Sequence, residues 1–176
     1  MNIHQSPLPI LLMAIPLLVA FVIPVVGMWK KQLCFPLVLL AIAVSAGLSI
    51  AVMVEGLTNG PGSYDLGGWM PPWGIEYRID HLGAFMAVLL TCISFLVAVY
   101  SKRSIQQEAP DKEVPFYAIF LLLITGLTGI VVTADMFNLY VFLEISSLTA
   151  YALIATGSKP SPVSAFRYLI MGTVGA

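Results

Sequence analysis

The chain has 176 residues, of which 59% are hydrophobic and 10% charged, with a mean hydropathy of +0.95. Soluble domains carry about 45–50% apolar and about 25% charged residues, and so few charges cannot cover so much apolar surface, which excludes a soluble globule. The formal net charge of −1 leaves no basic field for nucleic acid, and two isolated cysteines, Cys34 and Cys92, imply neither a disulfide framework nor a metal site. What remains is an all-α, polytopic transmembrane helical bundle, read as a single membrane domain over residues 1–176 and integral to the cell membrane.

A helix needs about 20 predominantly apolar residues to cross the hydrocarbon layer. Five segments meet that length: Leu8 to Met28, Cys34 to Val54, Leu82 to Tyr100, Pro115 to Thr133, and Met136 to Thr156. The start of a sixth runs from Ser161 to Ala176. The first run has no cationic residue before it and is followed by Lys30 and Lys31, the wrong polarity for a cleaved signal peptide, so it reads as a permanent span. Pro16 and Pro24 are expected to bend it. Small residues recur at four-residue spacing as Ala43, Gly47 and Ala51 in the second span and as Thr125, Gly129 and Thr133 in the fourth. Both rows are expected to let neighbouring backbones approach closely.

Between the second and third spans lie Gly60-Pro61-Gly62 and Gly67-Gly68-Trp69-Met70-Pro71-Pro72-Trp73-Gly74, rich in turn formers and interfacial aromatics. The alternation Ile75-Glu76-Tyr77-Arg78-Ile79 predicts a short strand. Asp80 then stands where a helix N-cap belongs, and His81 is either an interfacial polar residue or a proton shuttle at the helix mouth. Lys102 to Val114 reads as a short solvated turn. Asp135, at the turn into the fifth span, is a capping residue or an entry site.

Orientation follows from the cations, which are retained on the cytoplasmic side. Lys30, Lys31, Lys102, Arg103, Lys112, Lys159 and Arg167 all fall at the first, third and fifth connections, whereas Arg78 is alone in the second and fourth. The N-terminus is therefore expected outside, with residues 55–80 extracytoplasmic.

Glu144 is the charged residue that no loop explains. It sits nine positions into the fifth run, about 13 Å below the boundary and close to the bilayer midplane. An acid there costs about 2.5–3.5 kcal/mol on insertion scales, and more if it faces lipid. It must face protein or water. Tyr140, Ser147 and Tyr151, at i−4, i+3 and i+7, fall on the same helical stripe and can offer hydroxyls and hold water. Burial of a carboxyl favours its neutral form, which brings an acid toward the reversible titration that a proton carrier requires. The plainer alternative is a neutral, hydrogen-bonded acid that joins two helices.

The stretch Phe137-Asn138-Leu139-Tyr140-Val141-Phe142-Leu143-Glu144-Ile145-Ser146-Ser147-Leu148-Thr149-Ala150-Tyr151-Ala152-Leu153 resembles the fifth transmembrane helix of the antiporter-like membrane subunits. That family joins the A-type and D-type subunits of Mrp-type sodium/proton antiporters to proton-pumping membrane subunits of complex I and of membrane-bound hydrogenases. Gly67-Gly68-Trp69, Pro72-Trp73-Gly74-Ile75 and Asp80, leading into Leu82-Gly83-Ala84-Phe85-Met86, look most like the D-type subunit of the antiporter branch. The resemblance covers the whole chain. It implies that Glu144 is the acid of a glutamate/lysine pair that gates proton movement in a first half-channel. It also implies a full-length protein of about fourteen helices built as inverted repeats, of which this sequence holds the N-terminal portion. The partner lysine would then come from a later helix, supplied by another chain or lost by truncation, since Lys159 and Arg167 lie at the cytoplasmic end of the sixth helix.

The expected function is therefore that of a proton- or cation-translocating subunit of a multi-subunit monovalent cation/proton antiporter. Other integral membrane subunits would be its partners, protons its cargo with sodium as a second candidate, and it would hold no cofactor and no metal of its own. The alternatives are a non-catalytic membrane-arm subunit of an NADH-quinone oxidoreductase or hydrogenase, with redox groups in partner subunits, and a structural fragment without autonomous transport.

Overall fold

The computed structural model describes residues 4–69, 73–157 and 161–175. Lys159, and Met70, Pro71 and Pro72 of the segment between the second and third spans, lie outside the described residues. Six helices appear among those described: α1 (Leu8–Trp29), α2 (Cys34–Asn59), α3 (His81–Glu108), α4 (Glu113–Val132), α5 (Met136–Ala155) and α6 (Ser161–Gly175). The first five are long and apolar enough to cross a membrane. Three short strands, β1 (His4–Gln5), β2 (Gly62–Asp65) and β3 (Glu76–Ile79), form a sheet in that order, with β1 parallel to β2 and β2 antiparallel to β3.

The strand expected from the alternation at residues 75–79 is β3, while β1 and β2 carry no comparable signal. Two helices outrun the lengths expected of them. α2 continues through Glu55 to Asn59 and stops at Gly60, whose φ of 85° ends it in a conformation that favours glycine. The turn expected from Lys102 is instead two further turns of α3, because Lys102 to Glu108 holds no helix breaker; the helix ends before Ala109, which precedes Pro110. α1 runs unbroken through both Pro16 and Pro24, and Pro16 is buried against its neighbours.

Helix α1 packs on α2 and α4, α2 on α3, α3 on α4, α4 on α5, and α5 on α6. One core cluster, nearer the cation-rich end, joins Ile23, Val38, Ile42, Tyr117, Leu121 and Ile124. The other joins Leu12, Met13, Val52, Ala87, Val132 and Phe142 to Tyr77 and Ile79, so the inward side of β3 closes the opposite end of the bundle. Between α2 and α3, the buried hydroxyls of Ser49 and Thr91 lie 2.9 Å apart, a polar link of the kind that joins helices in lipid.

The two rows of small residues behave differently. Thr125 and Gly129 are buried, and Gly129 faces α5, where a Cβ on it would strike the ring of Phe142 and one on Gly126 would lie 2.9 Å from the backbone nitrogen of Ser146. Ala43, Gly47 and Ala51 instead face outward, and nothing lies within 4 Å of a Cβ built on Gly47. The reason is geometric: α2 meets its neighbours through Val38, Ala41, Ile42, Ser45, Ser49 and Val52, a row turned away from the small one. Gly129→Val should therefore lower the thermal stability of the detergent-solubilised protein by about 1–3 kcal/mol, the usual cost of overpacking. Gly47→Val should leave it within about 0.5 kcal/mol. Melting curves of the two variants beside the unmodified protein make the comparison.

Candidate functional site

The site begins at the turn into α5. Asp135 is the N-cap, and its Oδ2 accepts from the backbone N–H of Asn138 at 2.7 Å. The Asn138 side chain is buried and donates to Thr133 Oγ1 at 3.0 Å and to the Tyr77 hydroxyl at 3.3 Å. Thr133 Oγ1 also accepts from the backbone N–H of Asp135 at 3.3 Å. The backbone joins in, since the Ala134 N–H donates to the Glu76 carbonyl at 3.0 Å and Tyr77 bridges Thr133. The α4–α5 turn is thus sewn to β3, which fixes the height of α5 in the bundle.

Rotation of α5 is fixed by the face carrying Phe142, Ser146 and Thr149, which is buried. Phe142 and Ser146 supply the contacts to the α4 glycines. A helix turns about 100° per residue, so Glu144, two positions from both Phe142 and Ser146, projects about 160° from Ser146. Tyr140, Ser147 and Tyr151 share its side. The structure brings the four residues onto one stripe but joins none of them to Glu144 by a hydrogen bond, and its carboxylate has no such partner among the described residues. Glu144, Ser147 and Tyr151 are half-buried, whereas Tyr140 is 54% exposed. Helix α6 covers the Tyr151 end: the Tyr151 ring meets that of Tyr168 edge-on at 5.6 Å, and its hydroxyl end lies against Gly172. The Tyr140 end stays open.

The remaining sequence candidates lie at the strand-bearing end of the bundle. Asp80 caps α3, its Oδ1 accepting from the Gly83 N–H at 2.7 Å. His81 is exposed at the first position of α3 with its Nδ1 near Gly56. Neither converges on Glu144. Among the described residues no three His, Cys, Asp or Glu side chains gather in a way that could hold a metal ion.

Two polar contacts escaped the sequence. One is the Asn138–Tyr77–Thr133 group; Asn138, in the first turn of an otherwise apolar run, was the available signal. The other is Ser6, whose buried hydroxyl donates to Glu55 Oε2 at 2.9 Å and ties the start of α1 to the last turns of α2. Their spacing of 49 residues leaves no local pattern to read.

No family model matches the chain. It is 46% identical over 171 residues to NADH-quinone oxidoreductase subunit N of Desulforudis audaxviator, a match covering 96% of this chain and 34% of that protein. It is 30% identical over 177 aligned positions to the putative antiporter subunit mnhD2 of Staphylococcus haemolyticus, covering 100% of this chain and 34% of that one. Among solved structures, a chain of the membrane-bound sulfane sulfur reductase, an archaeal respiratory membrane complex, superposes with a TM-score of 0.89 at 32% identity over 97% of this chain and 35% of its own. The chain belongs to the antiporter-like membrane subunit family. It spans about a third of the length of the curated relatives it matches, corresponding to their N-terminal part. The relatives of this antiporter-like chain come from both branches, and identity is higher to the oxidoreductase subunit than to the antiporter subunit.

The stitching of α5 to β3 has a measurable pH signature. Burial pushes the Tyr77 phenol above its ordinary range of about 10; the Asn138 hydrogen bond opposes that rise and the nearby Asp135 carboxylate adds to it. A raised phenol stabilises the fold while it stays neutral, so its contribution is present below about pH 10 and is lost as pH climbs from there through the folded value. Thermal unfolding above pH 10 should therefore fall more steeply for the unmodified protein than for Tyr77→Phe. Parallel curves for the two would remove Tyr77 from this role.

Proposed function

We propose that this chain forms the first part of a proton-conducting channel in an antiporter-like membrane subunit, with Glu144 as its proton carrier. The observation that carries the reading is the position of Glu144: mid-helix in α5, turned away from α4, and half-buried among Tyr140, Ser147 and Tyr151. A carboxyl there is costly unless it meets protein or water, and a hydroxyl-bearing stripe offers both water sites and proton donors. A membrane potential supplies about 2.3 kcal/mol per charge per 100 mV, comparable with the cost of an ionised acid at that depth. Asp135 and Asp80 act in this reading as caps that set helix positions. The subunit works within a larger membrane complex, with a cationic group from a later helix facing Glu144 and protons, or sodium exchanged against them, as cargo.

A second reading of the assembly is favoured by a specific observation, the 46% identity to an oxidoreductase subunit against 30% to an antiporter subunit. On that reading the same helices serve a redox-driven membrane arm instead of an Mrp-type antiporter, and electron transfer resides wholly in partner subunits. Purifying the native complex and identifying its subunits by mass separates the two, since hydrophilic redox subunits accompany only the second.

Glu144→Gln keeps the shape of the side chain and removes its titration. In vesicles holding the assembled complex, proton flux followed by a pH-sensitive dye should fall at least about tenfold, equivalent to about 1.4 kcal/mol or more in the barrier. Subunit composition should stay unchanged. Undiminished flux in the Gln variant would overturn the carrier role.

A further inference from the structure

Away from Glu144, the cation-rich end of the bundle holds a cleft of about 490 Å³ between three helices. Lys31 and Gln32 come from the 3₁₀ turn after α1, Phe35 from the first turn of α2, Lys102 and Gln106 from the extension of α3, and Glu113 from the start of α4. Lys102 Nζ lies 4.5 Å from the centroid of the Phe35 ring, a cation–π contact that holds the ammonium against one wall. Lys31 and Lys102 are both exposed, and neither is ion-paired among the described residues, Glu113 included. The lining therefore keeps a net positive charge, and two side-chain amides add further N–H donors.

Depth narrows the choice of ligand. Lys102 is 21 residues beyond the first residue of α3, a rise of about 31 Å, and Lys31 follows α1 after a comparable rise. One hydrocarbon thickness is about 30 Å, so both ammonium groups lie where headgroup phosphates lie. The excess of cations assigns this end to the cytoplasmic side, where basic pockets between helices take anionic lipid headgroups. Met28, Trp29 and Leu33, which flank Lys30, Lys31 and Gln32 along the chain, are exposed apolar side chains suited to acyl chains below the headgroup.

We propose that this cleft binds a phosphate-bearing anion, namely the headgroup of an anionic phospholipid, between Lys31 and Lys102 with Gln32 and Gln106 as further donors. The lipid clamps the start of α2 to the end of α3, two helix ends that share no hydrogen bond across the cleft among the described residues.

The test is native mass spectrometry of the protein in its membrane complex, released from detergent containing phosphatidylglycerol or phosphatidylcholine. Phosphatidylglycerol should be retained about tenfold more tightly than phosphatidylcholine. Lys31→Gln and Lys102→Gln should each weaken it about fivefold, the effect of one lysine near a charged lipid surface. Lys31→Arg and Lys102→Arg, which keep the charge, should preserve it, as should Lys30→Gln with Arg103→Gln outside the cleft. Equal loss in that outside pair would show a diffuse field instead of a site and overturn the proposal, as would equal retention of the two lipids by the unmodified protein. Inorganic phosphate should displace the lipid only weakly; phosphate bound in place of lipid would identify a soluble anion as the ligand and overturn the lipid assignment.

Discussion

The contact between α4 and α5 is the constraint on which the site depends. Lipid supplies no hydrophobic force to bring two helices together, so their association rests on close fit. Gly126 and Gly129 provide that fit by letting Phe142 and Ser146 lie against the α4 backbone. Once that face is committed, helical geometry leaves Glu144 no freedom of direction: it must project from the far side of α5. The polar stripe is thus a consequence of where two side chains are missing on a different helix.

Height is set separately from rotation. The Asp135 cap and the Asn138 side chain hold the top of α5 to Thr133 and to β3, while the Ala134 N–H pairs with the Glu76 carbonyl. Sliding α5 along its axis by one residue would break all of these at once, and the buried side-chain amide of Asn138 would lose its partners, where an orphaned polar group is expensive. Rotation and height together set the side of α5 and the level in the bundle from which Glu144 projects. The family relationship spans an NADH-quinone oxidoreductase subunit and antiporter subunits.

Much of this was legible in the order of residues alone. Long apolar runs predict spans, and five helices long and apolar enough to cross a membrane coincide with the five runs; Glu144 was conspicuous as the one charged residue inside such a run. Asp80 and Asp135 stood where caps stand. The failures share a cause. The row Ala43, Gly47 and Ala51 satisfies the same spacing rule as the row through Gly129, yet spacing says only that residues share a face and not which face meets a neighbour. The extension of α3 past Tyr100 was hidden because a hydropathy boundary marks where lipid ends, while a helix ends only where its backbone does. Ser6 with Glu55, and Tyr77 with Asn138, are separated by tens of residues and depend on the assembled bundle to meet.

The small sheet carries an implication for how the molecule is made. Its outermost strand, His4–Gln5, pairs with Gly62 and Ser63, and those in turn pair with Arg78 and Ile79. The ribosome delivers these pieces in the order first, second, third, with two complete spans threaded between the first and second. The leading segment therefore has no partner strand until both helices between them have been made, and its pairing ties the start of the first helix to the end of the second.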